Sequence, residues 1–403
     1  MKCNEIMPYF KDKNAIAMSC SDEYVPYLSV YLMSMKEHGS KNNFYDIIIF
    51  ENSITDRRKE ELIDLFDSDN FKIRFFNPEI MFQNVNLYIS HSYFKKECYY
   101  RIAAPIVLKK YKKLIFTDID LIVKDDIYNL FNISLNGKVL AAVKEQMWRE
   151  LYDDNRIIAG QNIRYYTDMV LKLKKPYNYF NTGVLVVDIL KYNRLDSFNG
   201  ILELIKHTNF IYQEQCALNY FFKGKIHPLS EEWNFEFADS IVKLKKEYYK
   251  EYLKKLPQAK ILHFLGGKKP WFYANTEYNE LWWQYAKFSP FYEECLWRMK
   301  GLETIHINKA ISVKIDSDLN LLRQEFAKVH FPNINNRFGV GEYNAKLSFV
   351  MNHLLHFRLK KFGYALKKAF AFGERYAKYN DKYQKTKQLI KDAKKLKKSY
   401  YKV

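Results

Sequence analysis

The 403-residue sequence contains few cysteines, and no two of them form a C-x-x-C pair. The five thiols are spread over the chain, at Cys3, Cys20, Cys98, Cys216 and Cys295. Structural zinc sites draw on cysteines at close spacing, so we do not expect one here. An odd number of scattered cysteines favours reduced thiols and a cytosolic protein.

The sequence also lacks the long apolar segments of targeting signals and membrane spans. Residues 1–13 contain no apolar core of a secretory signal. No segment approaches the roughly 20 consecutive apolar residues that a membrane-spanning helix needs. We therefore expect a cytoplasmic protein without a spanning helix.

Acidic residues are scarce at one end of the chain, which makes the charge uneven. The chain has 65 Lys and Arg against 46 Asp and Glu, a net charge of +19. Residues 355–403 alone have 16 Lys and Arg against 3 Asp and Glu, a net charge of +13. Apolar side chains recur there at helical spacing, at Leu347, Met351, Leu354, Leu355, Phe362, Leu366 and Phe370.

This pattern predicts a basic amphipathic helical tail that binds an anionic membrane surface from the cytoplasmic side. A solvated helix packed against the rest of the chain is the alternative. Nucleic acid is not an expected partner, because no recognition motif accompanies the lysines.

Short apolar segments alternate with amphipathic ones over most of the remaining chain. Strands are predicted at Asn14–Ser19, Tyr45–Phe50, Phe71–Phe76, Lys113–Thr117, Lys138–Val143, Thr182–Asp188 and Lys260–Leu265. Helices are predicted at Tyr24–Glu37, Asp56–Phe66, Glu97–Tyr111 and Ile211–Phe222. The alternation predicts an α/β fold with a mostly parallel sheet flanked by helices. It ends near Lys300, which predicts one α/β domain over 1–300, a connector over 301–345 and the basic tail over 346–403.

Two acidic residues, Asp118 and Asp120, follow the strand predicted at Lys113–Thr117. Side chains two positions apart in an extended chain lie on the same side. A hard divalent cation can neutralise two carboxylates held so close together. The carboxyl ends of strands are also where open α/β sheets bind ligands. The sequence therefore predicts a metal-bound nucleotide diphosphate here, and carboxylates that only cap a turn are the alternative.

A late segment carries groups that suit the same ligand. His263 lies in the strand predicted at Lys260–Leu265 and is followed by Gly266 and Lys269. Imidazole together with carboxylates suits Mn²⁺. Glycine lets backbone amides approach a phosphate, and lysine offers a point charge to a diphosphate. A buried core histidine followed by a solvated turn is the alternative.

Two further segments place polar residues beside a predicted strand or helix. Asn181 and Gly183 lie at the start of a buried strand, where the amide could bind sugar hydroxyls. Glu214 and Gln215 lie near the start of a predicted helix, where acidic groups and ligand hydroxyls are favoured. A plain turn and a plain helix cap are the respective alternatives.

In this order, the Asp-x-Asp, Asn-x-Gly, Gln-acid-Gln and His-x-x-Gly-x-x-Lys-Pro-Trp segments resemble those of the family 8 retaining glycosyltransferases. That family includes bacterial lipopolysaccharide galactosyl- and glucosyltransferases and glycogenin, and the resemblance covers residues 14–290. It implies a GT-A type nucleotide-diphospho-sugar transferase fold with a basic helical C-terminal extension. It also implies retaining transfer of galactose or glucose from a UDP-sugar to a glycan or glycolipid, such as a lipopolysaccharide core.

The resemblance also assigns residues to roles. Asp118, Asp120 and His263 would hold Mn²⁺, or Mg²⁺, against the phosphates of UDP. Glu214 and Gln215 are the catalytic candidates, with Gln215 stabilising the cationic sugar by its carbonyl dipole. The donor-binding candidates are Tyr24, Arg101, Asp118, Asn181, Gly183, Gly266 and Lys269.

The sequence departs from the family pattern at several positions. Glu214 stands where the family usually has Asp, and Ser21 and Glu23 stand where relatives often carry Asp and Asn. Lys144 aligns with an acidic residue that meets the acceptor in galactosyltransferase relatives. The alternative functions are a metal-dependent nucleotidyl- or phosphoryl-transfer enzyme and a non-catalytic nucleotide- or glycan-binding protein.

Overall fold

The computed structural model describes residues 5–89, 95–237, 252–267, 269–273 and 278–299, with residues 380–385, 387–388 and 391. The chain divides into two compact units, residues 1–309 and 310–403. The predicted connector and nearly all of the predicted basic tail lie outside the described residues. Within those residues, no helix combines the length and the apolar character needed to cross a membrane.

The first unit alternates strands and helices along the chain. Its strands are β1 (Asn14–Ser19), β2 (Tyr45–Phe50), β3 (Phe71–Phe76), β4 (Lys113–Thr117), β5 (Leu121–Val123), β6 (Leu140–Lys144), β7 (Ile157–Ile158), β8 (Gln161–Asn162), β9 (Phe180–Asp188), β10 (Ile226–Pro228), β11 (Phe235–Phe237) and β12 (Ile261–Phe264). Its α-helices are α1 (Val25–His38), α2 (Asp56–Phe66), α3 (Tyr100–Val107), α4 (Gln146–Asp153), α5 (Ile163–Tyr165), α6 (Ile189–Arg194), α7 (Ser197–His207), α8 (Gln213–Phe221) and α9 (Asn279–Ala286).

Seven strands form the central sheet in the order β10-β6-β9-β4-β1-β2-β3. Strands β1 to β4 run parallel to their neighbours in this set, and β10 runs parallel to β6. The expected mostly parallel sheet with flanking helices is thus confirmed. Strand β9 runs antiparallel to both β4 and β6, which the strand pattern did not predict.

Apolar side chains cover both faces of this sheet. Ala15 and Ala17 of β1 belong to one core cluster, and Ile16 and Met18 belong to the cluster on the opposite face. Strands buried on both faces are apolar nearly throughout, as the six buried residues of β2 illustrate. Strands β1 and β4 are direct, parallel neighbours between these two clusters. The residues that follow each strand therefore lie at the same edge of the sheet.

A second sheet of three strands, in the order β11-β12-β5, brings the late part of the chain to that edge. Strand β12 runs antiparallel to β5, with His263 opposite Leu121. The backbone N–H of Phe264 donates to the carbonyl of Asp120 at 3.0 Å. This pairing carries His263 to the residues after β4, although they lie more than a hundred positions apart in the chain.

Candidate active site

Asp118, Asp120 and His263 converge at the carboxyl end of β4. One ligand atom from each lies within 4.8 Å of the others. His263 Nε2 is 3.1 Å from Asp120 Oδ1 and 3.6 Å from Asp118 Oδ2. The two aspartates lie in the bend between β4 and β5, not in the strand itself. The three residues converge as predicted. This bend brings the two aspartates together, and the pairing of β12 with β5 adds His263; alternation of side chains along one strand is not the cause.

The environment of His263 fits a metal ligand. Its Nδ1 is 2.8 Å from Asn234 Oδ1, and Asn234 Nδ2 donates to Asn181 Oδ1 at 2.9 Å. Because an amide oxygen only accepts, this network assigns the ring proton to Nδ1. Within the described residues, the buried Nε2 has no hydrogen-bond partner. A bare ring nitrogen facing two carboxylates fits a divalent cation, whose identity these three residues do not determine.

Two cations pair with the two aspartates. Arg101 binds Asp118, and Lys269 binds both Asp120 and the carbonyl of Phe264. Burial opposes the ionisation of Asp120, but the charge of Lys269 outweighs it and holds the pKa of Asp120 below its usual value. Arg101 also donates to the carbonyl of Thr182. The predicted metal ligands and two predicted donor-binding residues thus form one charged cluster.

Gly183 lies against the imidazole. A Cβ atom at this position would be 2.3 Å from His263 Cε1 and 2.9 Å from Asn181 Oδ1. Real Cβ atoms do not approach other atoms this closely, so any side chain here would displace His263 or Asn181. The Gly183 N–H also donates to Asn181 Oδ1 at 2.7 Å, which ties the predicted sugar-binding amide to the metal-ligand end of the site.

The side chains of Asn181 and Gln215 both contact Glu145, a residue that the sequence analysis did not identify. Glu145 Oε2 accepts from Asn181 Nδ2 at 2.8 Å and from Gln215 Nε2 at 3.3 Å. Gln215 Oε1 accepts from the Thr182 N–H at 3.0 Å and from the Thr182 hydroxyl at 3.2 Å. This second cluster adjoins the charged one through Asn181 and Thr182.

Glu214 lies next to the charged cluster, with its Oε1 3.3 Å from Arg101 Nε. It is only 6% exposed. Burial raises the pKa of Glu214 to about 7, against the opposing charge of Arg101 and with the added repulsion of Asp118. A glutamate at this position is therefore partly protonated near neutral pH in the absence of a ligand.

Two more predicted residues flank the cluster. Tyr24 follows the end of β1, half-buried, with its ring 5.6 Å from that of Tyr27. Burial raises the pKa of Tyr24 to about 12, and the charge of Asp120 acts in the same direction. Gly266 follows β12 with φ of +76°, a conformation that side chains other than glycine rarely adopt. Tyr24 and Gly266 thus follow β1 and β12 in the chain, and their roles in binding the donor stay a prediction.

Most of the first unit matches a known family. The model of "Glycosyl transferase family 8" matches residues 15–275. The chain belongs to this family. Its enzymes transfer glycosyl groups from a nucleotide-sugar donor to a glycan acceptor, typically with a divalent metal, so the chain is a glycosyltransferase with a candidate metal site at Asp118, Asp120 and His263.

Individual family members and solved structures agree with this. The lipopolysaccharide 1,2-glucosyltransferase of Escherichia coli K12 is 26% identical over 181 residues, 42% of this chain and 48% of the relative. The bifunctional glycosyltransferase WbbM in its apo structure has a TM-score of 0.66 at 23% identity, covering 73% of this chain and 53% of WbbM. The galactosyltransferase LgtC in complex with donor and acceptor sugar analogues has a TM-score of 0.55 at 20% identity, covering 68% and 96%. The two structures show the fold, which is the GT-A glycosyltransferase fold that was expected.

Lys144, the predicted departure from the family pattern, lies at the end of β6 next to another charged residue. Lys144 ends β6 and is exposed. The next residue, Glu145, places its carboxylate on Asn181 and Gln215. An acidic residue thus follows β6 directly, at the edge of the candidate sugar site, while the departure from the family pattern at Lys144 stays a prediction.

We expect Asn234→Ala to weaken Mn²⁺ binding by about 10- to 100-fold, the usual effect of removing a partner that orients a metal-binding histidine. Without the Asn234 oxygen, the His263 ring can rotate or carry its proton on the nitrogen that faces the aspartates. Calorimetric titration with Mn²⁺ measures the effect. The control is Asn199→Ala, which removes an exposed amide bonded to Asp196 on another surface. Equal Mn²⁺ affinity in the two variants would contradict the role of Asn234.

Glu214 gives this glycosyltransferase a pH-dependent stability. The folded pKa of about 7 lies above the ordinary value of 4.5, so the folded state binds the proton more tightly than the unfolded state. The free energy of unfolding should fall as the pH rises from 4.5 to 7, by up to about 3 kcal/mol relative to Glu214→Gln.

Urea denaturation in the presence of a chelator measures this difference across the pH range. Glu60→Gln, at an exposed position on α2, is the matched control. A wild-type protein whose stability relative to Glu214→Gln rises with pH in this window would show that the buried carboxyl prefers its charged form.

Proposed function

We propose that this family 8 enzyme is a retaining hexosyltransferase that moves galactose or glucose from a UDP-hexose to a glycan acceptor. Mn²⁺ is the metal that we assign to Asp118, Asp120 and His263. The observation that carries the proposal is the buried Nε2 of His263, which has no hydrogen-bond partner among the described residues and faces two aspartates at the carboxyl end of β4. The family match and the 1,2-glucosyltransferase relative support the choice of a hexose and of a lipopolysaccharide-type core as acceptor.

The reaction breaks the bond between the anomeric carbon and the diphosphate, which leaves with negative charge. When bound, the metal ion supplies Lewis-acid neutralisation of that leaving group. Lys269, which lies next to Asp120 and follows Gly266, adds a further positive charge on the same side. Charges held in place before the reaction stabilise the transition state more than the ground state.

Gln215 is poorly placed to act as a nucleophile. An amide oxygen has two lone pairs, and Thr182 donates to both from its N–H and its hydroxyl. Glu214 is held by Arg101 and is only partly charged near neutral pH. These contacts support same-face attack by the acceptor, with the leaving phosphate accepting the acceptor proton, rather than a covalent glycosyl enzyme. A glycosyl adduct on Glu214 or Gln215 detected by mass spectrometry would contradict this choice.

The test is a panel of nucleotide sugars with the wild-type protein. We expect hydrolysis or transfer of UDP-galactose or UDP-glucose with Mn²⁺, and none when the metal is chelated. GDP-mannose is the control donor, since it keeps the diphosphate and changes the base and the sugar. A metal-dependent release of pyrophosphate from a nucleoside triphosphate would instead favour a nucleotidyltransferase. Among the described residues, only the one cluster of three acidic and histidine ligands is present, so a two-metal site of that kind has no support.

We also propose that the enzyme works at the inner face of the cytoplasmic membrane, on a lipid-anchored glycan. The support is the sequence of the tail, where 16 of 49 residues between 355 and 403 are Lys or Arg. Each basic residue near an anionic surface contributes about 1 kcal/mol at low ionic strength. Scattered cysteines and the missing apolar segments agree with a cytoplasmic site.

We expect the full chain to sediment with vesicles that contain phosphatidylglycerol and not with vesicles of phosphatidylcholine alone. Replacement of the nine lysines between 382 and 402 by Gln should abolish most of this binding. Raised salt should weaken binding of the wild type, because the attraction is electrostatic. Equal binding to both kinds of vesicle, or binding that survives the nine replacements, would contradict a role for the basic tail.

A further inference from the structure

Two arginines bind consecutive carbonyl groups in the loop that follows β1. Arg58 Nη1 donates to the carbonyl of Asp22 at 2.5 Å, and Arg298 Nη1 donates to the carbonyl of Glu23. Arg58 belongs to α2, whereas Arg298 belongs to a helix that the structure describes over residues 292–299. The backbone of this loop is thus held by cations from two elements that are far apart in the chain.

One carboxylate joins the two arginines. Glu294 Oε1 accepts a hydrogen bond from Arg58 Nη2 at 2.9 Å, and it also accepts one from Arg298 Nη2. All three side chains are partly buried. Charges connected in such a network contribute more than an isolated ion pair on the surface. Without the carboxylate, two like charges would lie side by side and repel each other, so Glu294 allows both arginines to remain on the loop.

The loop held in this way carries Tyr24, a predicted donor-binding residue. Its ring lies 5.6 Å from that of Tyr27, which stacks on Trp271 with ring centroids 4.4 Å apart. Trp271 follows Lys269 in the chain, and Lys269 binds Asp120. Because β1 and β4 are parallel neighbours, the loop and the aspartate pair also lie at the same edge of the sheet. The nucleoside of a diphosphate bound at Asp120 can therefore lie against this loop.

We propose that Glu294 is a positioning residue that keeps Arg58 and Arg298 on the loop after β1 and thereby holds Tyr24 in place for the nucleoside of the donor. The proposal rests on the proposed function, since a nucleotide-sugar donor is what brings a nucleoside to this edge. A loop that is ordered before binding loses less conformational freedom when the nucleoside arrives, so the affinity is higher. Glu294 acts through the two arginines and not on the donor itself.

The substitution Glu294→Gln keeps the shape of the side chain and removes its charge. We expect it to weaken binding of UDP in the presence of Mn²⁺ by about 5- to 10-fold. KM for the UDP-hexose should rise by a similar factor with little change in kcat, because the nucleoside is bound alike in the ground state and the transition state. Calorimetric titration and initial rates measure the two effects. The matched control is Glu293→Gln, which removes an exposed charge from the preceding residue of the same helix.

Pyrophosphate with Mn²⁺ is the second probe, because it has the diphosphate but no nucleoside. Its affinity should be the same in the wild type, Glu294→Gln and Glu293→Gln. In a Tyr24→Ala background, Glu294→Gln should weaken UDP binding little further, since the ring that it positions is gone. A residue that only stabilises the fold would lower the melting temperature and leave the UDP affinity of the folded protein unchanged. That result would overturn the proposal, as would equal losses for UDP and pyrophosphate or additive effects of the two substitutions.

Hydrogen exchange reports on the loop without any nucleotide. Peptides that cover residues 21–25 should exchange faster in Glu294→Gln than in the wild type or in Glu293→Gln, because the two arginines no longer hold the backbone. Equal exchange in the two variants would show that Glu294 does not order the loop. If the wild type binds no UDP, the proposed function fails, and this exchange still decides whether Glu294 holds the loop.

Discussion

Replacement of Asp120 by Ala should lower the turnover of UDP-hexose with Mn²⁺ by at least about 100-fold, the cost of losing one preorganised electrostatic group in an active site. Asp120 is the carboxylate closest to His263 Nε2, at 3.1 Å, and it also binds Lys269. Its removal takes a ligand from the candidate metal site and frees Lys269, the lysine that we propose to bind the leaving diphosphate. Initial rates with each UDP-hexose and Mn²⁺ measure the effect, together with calorimetric titration of the metal.

The matched control is Asp125→Ala, five positions further along the chain. Asp125 is a partly exposed carboxylate whose ion-pair partner, Lys260, lies 3.8 Å away. This variant should keep the wild-type rate and Mn²⁺ affinity, because its carboxylate is not part of the cluster. Equal rates for wild type and Asp120→Ala would remove Asp120 from the reaction.

A single methyl group at Gly183 should be nearly as damaging. The added Cβ would lie 2.3 Å from His263 Cε1 and 2.7 Å from His263 Nδ1, which also faces Asn234. The ring must move, and it can move only away from the aspartates or into Asn234. We expect Gly183→Ala to weaken Mn²⁺ binding and to lower turnover by about 100-fold, since a shift of about 1 Å in an active site has that cost. Overpacking should also cost about 1–3 kcal/mol of stability.

Gly200→Ala separates these two effects. A Cβ there would lie 2.4 Å from Phe221 Cε2, a comparable overlap between two helices. This variant should lose stability while its folded fraction keeps the wild-type affinity for Mn²⁺. If Gly183→Ala binds Mn²⁺ as tightly as Gly200→Ala does, the close approach of Gly183 to His263 has no role in the metal site.

Much of the fold follows from local sequence patterns. Strands β1 to β4 and helix α2 begin and end where the apolar runs and charged faces predict. The helix predicted over Glu97–Tyr111 is instead a 3₁₀ turn at Lys96–Tyr99 followed by α3, which ends at Val107. Strands β5 and β11 have only three residues each, too few to produce a periodic signal. Strand β9 runs antiparallel to β4 and β6, and its direction depends on how it pairs with them. A local sequence pattern therefore does not predict it.

The sequence likewise predicted some residues of the candidate site and missed others. Asp118, Asp120 and His263 were found because their residue types suit a metal and their segments resemble a family. Glu145 was missed because its contacts are with Asn181 and Gln215, which lie far from it in the chain. Asn234 was missed because it acts through a partner more than 25 positions away, His263. Such contacts depend on how the small sheet packs beside the large one, and a sequence read segment by segment does not contain that information.

Anomalous diffraction at the manganese absorption edge, from crystals grown with Mn²⁺ and UDP, tests the central claim most directly. The account predicts one manganese peak bound by carboxylate oxygens of Asp118 and Asp120 and by Nε2 of His263, with phosphate oxygens of UDP completing its shell. An absence of manganese at this place while UDP is bound, or a His263 ring whose Nε2 faces away from both aspartates, would contradict it.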